Sequence, residues 1–154
     1  MTRLTAGEPA PDFEMAADDG SVVTTESLAG QRYVLYFYPK DDTPGCTTQA
    51  CGLRDSWSAV AETGVPVFGV SPDSVRSHAK FRAKHALPFP LLSDAGHQVA
   101  EAFGVWVEKT FAGRTYMGVE RTTFVIGPGG IIQAVLPQVK PAAHVEQLLE
   151  ALAA

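Results

Sequence analysis

Cysteine is scarce in this chain: there are two among 154 residues, Cys46 and Cys51. Two thiols are too few for a stapled secreted fold, and a chain of this length can bury a core without disulfides. Long apolar runs are also missing. None approaches the roughly 20 residues of a membrane span, and the opening MTRLTAGEPAPDF holds no stretch of signal-peptide length. The net charge is −5 with no basic cluster, which speaks against nucleic acid as a partner. There is no Gly-x-Gly-x-x-Gly, P-loop or Gly-x-Ser-x-Gly signature, no repeat, no low-complexity tract and no linker. What remains is 45% hydrophobic and 19% charged, a globular balance. One domain over residues 1–154 is expected, in the cytoplasm, away from membranes.

Hydrophobic patterning supplies the elements. Segment 33–38 is aromatic and β-branched and stops at Pro39, and segment 65–70 is a second apolar run; both read as buried strands. Between them, Ala50, Leu53, Trp57 and Val60 recur at helical spacing, predicting one helix over 47–62 with Gly64 beyond it. Ser71-Pro72 reads as an N-cap and first helical residue, with the helix running to about His85. Leu91-Leu92 predicts a short strand and 95–103 a short helix ending at Gly104. Thr122–Ile126 and Ile131–Val135 are strands joined by the turn residues 127–130. A last helix is expected from Pro141, with Val145, Leu148, Leu149 and Leu152 as its apolar stripe. Strands alternating with helices, then a hairpin and a helix, predict an α/β fold with a mixed central sheet flanked by helices. This order is that of the thioredoxin-like fold, and residues 12–25 are expected to add an N-terminal β-hairpin.

The chemistry concentrates in residues 39–51, between a strand and a helix, where α/β sheets gather their sites. Pro44 suits a first helical turn, and Thr43 or Asp42 can cap it. Cys46 then lies among unpaired N–H groups at the positive end of the helix, surroundings that favour negative charge on a nucleophilic sulfur. Cys51 follows five positions later. An ideal helix holds two such Cα atoms about 8–9 Å apart, beyond the roughly 4.4–6.8 Å of a disulfide. The pair therefore suits a cycle in which the sulfurs are apart in one step and joined after local unwinding, which Gly52 would ease. Zinc, the other use of paired cysteines, wants four ligands at short spacings. The four histidines, His78, His85, His97 and His144, are scattered singly and expected on the solvated surface, so ligand count speaks against a metal.

At these residues the chain resembles the peroxiredoxins. Pro39-x3-Thr43-x2-Cys46 matches the motif Pro-x3-Thr/Ser-x2-Cys. The longer run from Tyr36 through Cys46 to Asp55 is similar to the peroxiredoxin Q branch, also called bacterioferritin comigratory protein. The likeness extends to Ala10-Pro11-Asp12-Phe13, Leu91-Leu92-Ser93-Asp94, Phe103-Gly104-Val105-Trp106 and the run Arg121–Ile126. The resemblance implies that Cys46 is the peroxide-attacking cysteine and Cys51 the resolving one. It also implies that Thr43 hydrogen-bonds the peroxide, Pro39 shields the sulfur and Arg121 stabilises both reactants. Gln49, three residues after Cys46, is expected to face the site and steady Arg121. Segment 106–116 is expected to line the pocket.

The implied reaction is reduction of hydrogen peroxide and organic hydroperoxides through a Cys46 sulfenic acid and a Cys46–Cys51 disulfide, recycled by thioredoxin or a similar dithiol. No cofactor or metal is called for, and a monomer is expected. Two other classes compete. A redox sensor would be oxidised once without turnover, and a binding module with structural cysteines would not change on Cys46→Ser.

Overall fold

The computed structural model describes residues 4–153. All five residues of β3 (Tyr33–Phe37) are buried, and they serve two different cores, because successive side chains leave a strand on opposite faces. Tyr33, Leu35 and Phe37 join a cluster with Phe68, Leu92, Phe103 and Phe124. Val34 and Tyr36 join another with Leu53, Phe81, Leu91 and Leu148. A strand covered on both faces belongs at the middle of a sheet, and β3 lies there.

The other strands of this sheet are β1 (Glu14–Ala17), β2 (Val22–Thr24), β4 (Val67–Ser71), β5 (Leu91–Ser93), β8 (Thr122–Ile126) and β9 (Ile132–Leu136). Their order is β2-β1-β5-β4-β3-β8-β9. Strands β3, β4 and β5 run parallel; the remaining pairs are antiparallel. Parallel neighbours need crossovers, and helices supply them. Helices α1 (Pro44–Asp55), α3 (Val75–His85) and α5 (His144–Ala153) send Leu53, Phe81 and Leu148 into the second cluster, while α4 (Gln98–Ala102) sends Val99 and Ala100 into the first. The mixed sheet, the flanking helices and the N-terminal hairpin are those expected. No helix among the described residues is long and apolar enough to cross a membrane.

Several boundaries differ from the sequence reading. The helix expected over 47–62 is two, α1 and α2 (Trp57–Glu62), because Ser56 leaves helical geometry (φ −106°, ψ 19°). The break turns Trp57 toward Phe89, with ring centroids 5.7 Å apart. Ser71 does not cap α3: it ends β4, and its hydroxyl donates to Asp73. The cap is Ser74, whose hydroxyl accepts the Ser77 N–H. Helix α4 starts three residues later than expected, held by the Asp94 carboxylate, which accepts the N–H groups of Val99 and Ala100. Pro141 opens a 3-10 turn, and α5 follows it. A hairpin of β6 (Trp106–Phe111) and β7 (Arg114–Val119) forms a separate two-stranded sheet that hydrophobic patterning missed. Most of its residues are exposed or half-buried, so neither period-2 alternation nor an apolar run marked it.

Candidate active site

The loop from β3 to α1 is fixed before the helix begins. Tyr38 still bonds its N–H to the Val70 carbonyl. Asp41 is buried and accepts from the Tyr38 hydroxyl at 2.6 Å and the Ser77 hydroxyl at 2.8 Å, and its Oδ2 lies 2.7 Å from His78 Nδ1. The other ring nitrogen of His78 meets the Leu92 carbonyl at 2.9 Å. The Asp41 backbone N–H donates to the Asp73 carboxylate. Asp42 takes a left-handed backbone (φ 58°) and pairs with Lys84 at 2.8 Å. Thr43 occupies the N-cap position, yet its hydroxyl donates to the Lys40 carbonyl at 2.9 Å. Neither Thr43 nor Asp42 supplies the side-chain cap expected of it; both bind the loop instead. Pro39 is half-buried within the same loop.

Pro44 opens α1, so Cys46 is its third residue, inside the first turn, where N–H groups lack intrahelical partners. The sulfur is buried, with Cys46 2% exposed. Arg121 precedes β8, and its Nη2 lies 3.4 Å from Cys46 Sγ. Its Nη1 donates to Gln49 Oε1 at 2.6 Å. Gly45 leaves room for this approach: a Cβ there would stand 3.1 Å from Arg121 Nη2. Cys51 is half-buried on the same helix, and both thiols are free. Thus Cys46, Gln49 and Arg121 come together, while Cys51 is held apart by helical geometry.

Two of the histidines expected at the surface lie in the interior. His78 and His144 are both fully buried. His78 bridges Asp41 to Leu92, as above. His144 stands behind Gln49, its Nδ1 3.1 Å from Gln49 Nε2 and its Nε2 2.8 Å from the Thr123 hydroxyl. Burial first, and the Arg121 guanidinium second, push His144 down to about 4. A faint signal was available for each. His78 lies three residues before the buried Phe81, and His144 lies four and eight before the buried Leu148 and Leu152. Asp41, Thr123 and His144 are the site neighbours that sequence reasoning did not find.

The β6–β7 hairpin brings Lys109 into the electrostatic neighbourhood of the site. Burial first, then Arg121, lowers the pKa of its ammonium, while Cys46 acts in the opposite sense. A cleft of about 640 Å³ is lined by Phe13, Thr25, Tyr33 and Pro128 among others and contains none of the site residues.

Comparison with known proteins matches the AhpC/TSA family over residues 6–135. A putative peroxiredoxin bcp of Coxiella burnetii is 48% identical over 146 residues, covering 95% of this chain and 97% of that protein. Peroxiredoxin Bcp of Bacillus subtilis is 49% identical, covering 95% and 93%. Among solved structures, a bacterioferritin comigratory protein of Xanthomonas campestris, studied for alkyl peroxide reduction, superposes with a TM-score of 0.88 at 37% identity, covering 96% of this chain and 97% of that one.

Proposed function

The chain belongs to the AhpC/TSA family and, within it, to the peroxiredoxin Q branch, and from that premise we propose that Cys46 is its peroxide-attacking nucleophile and Cys51 its resolving thiol. The observation that carries this reading is the Arg121 guanidinium 3.4 Å from a buried sulfur in the first turn of α1. The Cys46 thiolate attacks one peroxide oxygen. The S–O bond forms, the O–O bond breaks, and the other oxygen leaves as hydroxide or alkoxide and takes up a proton. Negative charge thus passes from sulfur to the departing oxygen. The fork of Arg121 and the free first-turn N–H groups are donors set in place beforehand for that transfer. Pro39 shields the sulfur, and Thr43, whose hydroxyl proton goes to the Lys40 carbonyl, offers its oxygen as acceptor to the peroxide O–H. The Cys51 thiol then condenses with the sulfenic acid, releasing water and forming the disulfide. A thioredoxin-type dithiol reduces that bond and is itself oxidised. The chain works as one thioredoxin-like domain, as a monomer in the cytoplasm, and needs no bound metal or cofactor for these steps.

The deciding experiment is steady-state peroxide consumption coupled to a thioredoxin system, on wild type, Cys46→Ser and Cys51→Ser. Wild type should turn over and Cys46→Ser should be inactive. Cys51→Ser should react once and then stall, over-oxidise, or recycle only with a small added thiol. Turnover by Cys46→Ser would remove Cys46 from its assigned role. A wild type oxidised once without turnover would make the chain a sensor.

A further inference from the structure

Gln49 cannot exchange its two ends. A guanidinium only donates, so the amide oxygen must face Arg121, 2.6 Å from Nη1. The amide nitrogen then points the other way, to Nδ1 of His144 at 3.1 Å. An NH2 group also only donates, so Nδ1 must be bare and the ring proton must sit on Nε2. There it donates to the Thr123 hydroxyl oxygen at 2.8 Å. Gln49, Thr123 and His144 are each 0% exposed, so none can turn to water for a substitute partner. The tautomer of His144 and the orientation of Gln49 are set by one another. The charged and titratable neighbours of the ring fit this neutral state: Arg121 is a fixed cation, and the Tyr36 ring packs at 5.5 Å.

Resting on the peroxidase reading above, we propose that His144 is a positioning residue for the peroxide step, holding the Gln49 amide so that its oxygen keeps Arg121 against Cys46. The chain of contacts runs from Thr123 on β8, through His144 on α5 and Gln49 on α1, to Arg121 and the sulfur. If Nδ1 ceases to accept, the Gln49 NH2 is left buried without a partner. Rotating the amide would point that NH2 at the guanidinium, donor against donor. Either outcome loosens Arg121. A displacement of about 1 Å at a transition-state donor can cost on the order of 100-fold in rate.

Two readouts test the assignment. The first is the rate of sulfenic acid formation at Cys46 with hydrogen peroxide. His144→Leu, which keeps bulk and loses the acceptor, should be slower by about 10- to 100-fold. His144→Asn, whose Oδ1 can take the place of Nδ1, should recover most of that loss. Equal rates in wild type and His144→Leu, or equal losses in both variants, would overturn the proposal. The second readout, 15N NMR of the imidazole, is independent of activity and survives a misfolded Leu variant. Wild type should show His144 as the Nε2–H tautomer at neutral pH. Gln49→Glu replaces the donor by an acceptor and should protonate Nδ1, moving the His144 titration upward by more than one pH unit. A wild-type Nδ1–H tautomer, or a titration indifferent to Gln49→Glu, would sink the assignment. If wild type proved inert to peroxide, the peroxidase reading would fail while the NMR result still reported on the contact.

Discussion

Arg121 shows how much rests on a single side chain whose charge pH cannot remove. Its two terminal nitrogens are already divided between Gln49 and the sulfur, so it is aimed before any peroxide arrives. Arg121→Ala should raise the barrier of the peroxide step by about 2–4 kcal/mol, the usual loss for one transition-state donor. Arg121→Lys should also be impaired, because a point charge cannot reach both partners. Stopped-flow oxidation of the three proteins decides; equal rates would leave Arg121 a structural residue. Tyr36 offers a contrast. Its hydroxyl is buried with no hydrogen-bond partner among the described residues, and burial raises its pKa well above the usual range. An unsatisfied buried hydroxyl costs stability. Tyr36→Phe should therefore leave the denaturant midpoint unchanged or raise it, by up to about 1 kcal/mol of stability; a clear loss would point to a partner for that hydroxyl. At this scale, Cys46 was legible from Pro44-Gly45 before it, and Gln49 from its three-residue spacing. His144 was not, because one histidine at the head of an apolar stripe carries no mark of what it will face.

Elements were legible where one physical signal dominated. Strand β3 reads from its apolar run, and the turn at residues 127–130 from Gly and Pro. Legibility failed where tertiary contacts chose between local options: the break at Ser56, the cap at Ser74 rather than Ser71, and the exposed hairpin β6–β7. Helix α1 is where the element itself takes part in the chemistry. It contains both cysteines without interruption, and ideal geometry keeps their Cα atoms about 8–9 Å apart. A disulfide requires several residues between 46 and 55 to leave the helix. That unwinding also removes Gln49 from His144 and Leu53 from its cluster. Segment-resolved hydrogen exchange should therefore show residues 47–56 markedly less protected in the disulfide form than in the dithiol form. Equal protection in both forms would mean that the disulfide closes without opening the helix, against the geometric argument.

Across the whole molecule, the two apolar clusters meet the two faces of one sheet, and His144 is buried where α5 closes over the second. An imidazole kept neutral there links folding to pH. Its folded value lies near 4, against about 6.5 in an unfolded chain. Between those values the unfolded chain binds the extra proton, so stability rises with pH across the window. The contribution is complete above about pH 6.5 and is lost as pH falls toward 4. Asp19 and Asp42 have lowered values, but both are exposed, and their share falls at lower pH still. Passing from pH 7 to pH 5 should accordingly cost about 2 kcal/mol through His144 alone. Urea unfolding at a series of pH values measures it, and His144→Asn supplies the control, since Asn does not titrate. The variant should be less sensitive to pH than wild type between 6.5 and 4, whatever its absolute stability. Parallel slopes for the two proteins would show that the ring reaches water, or that it is already charged in the folded state. The same proton acts on the local transition: once α1 unwinds and uncovers the ring, mild acid favours the opened helix, so disulfide formation from the sulfenic acid should respond to pH through His144.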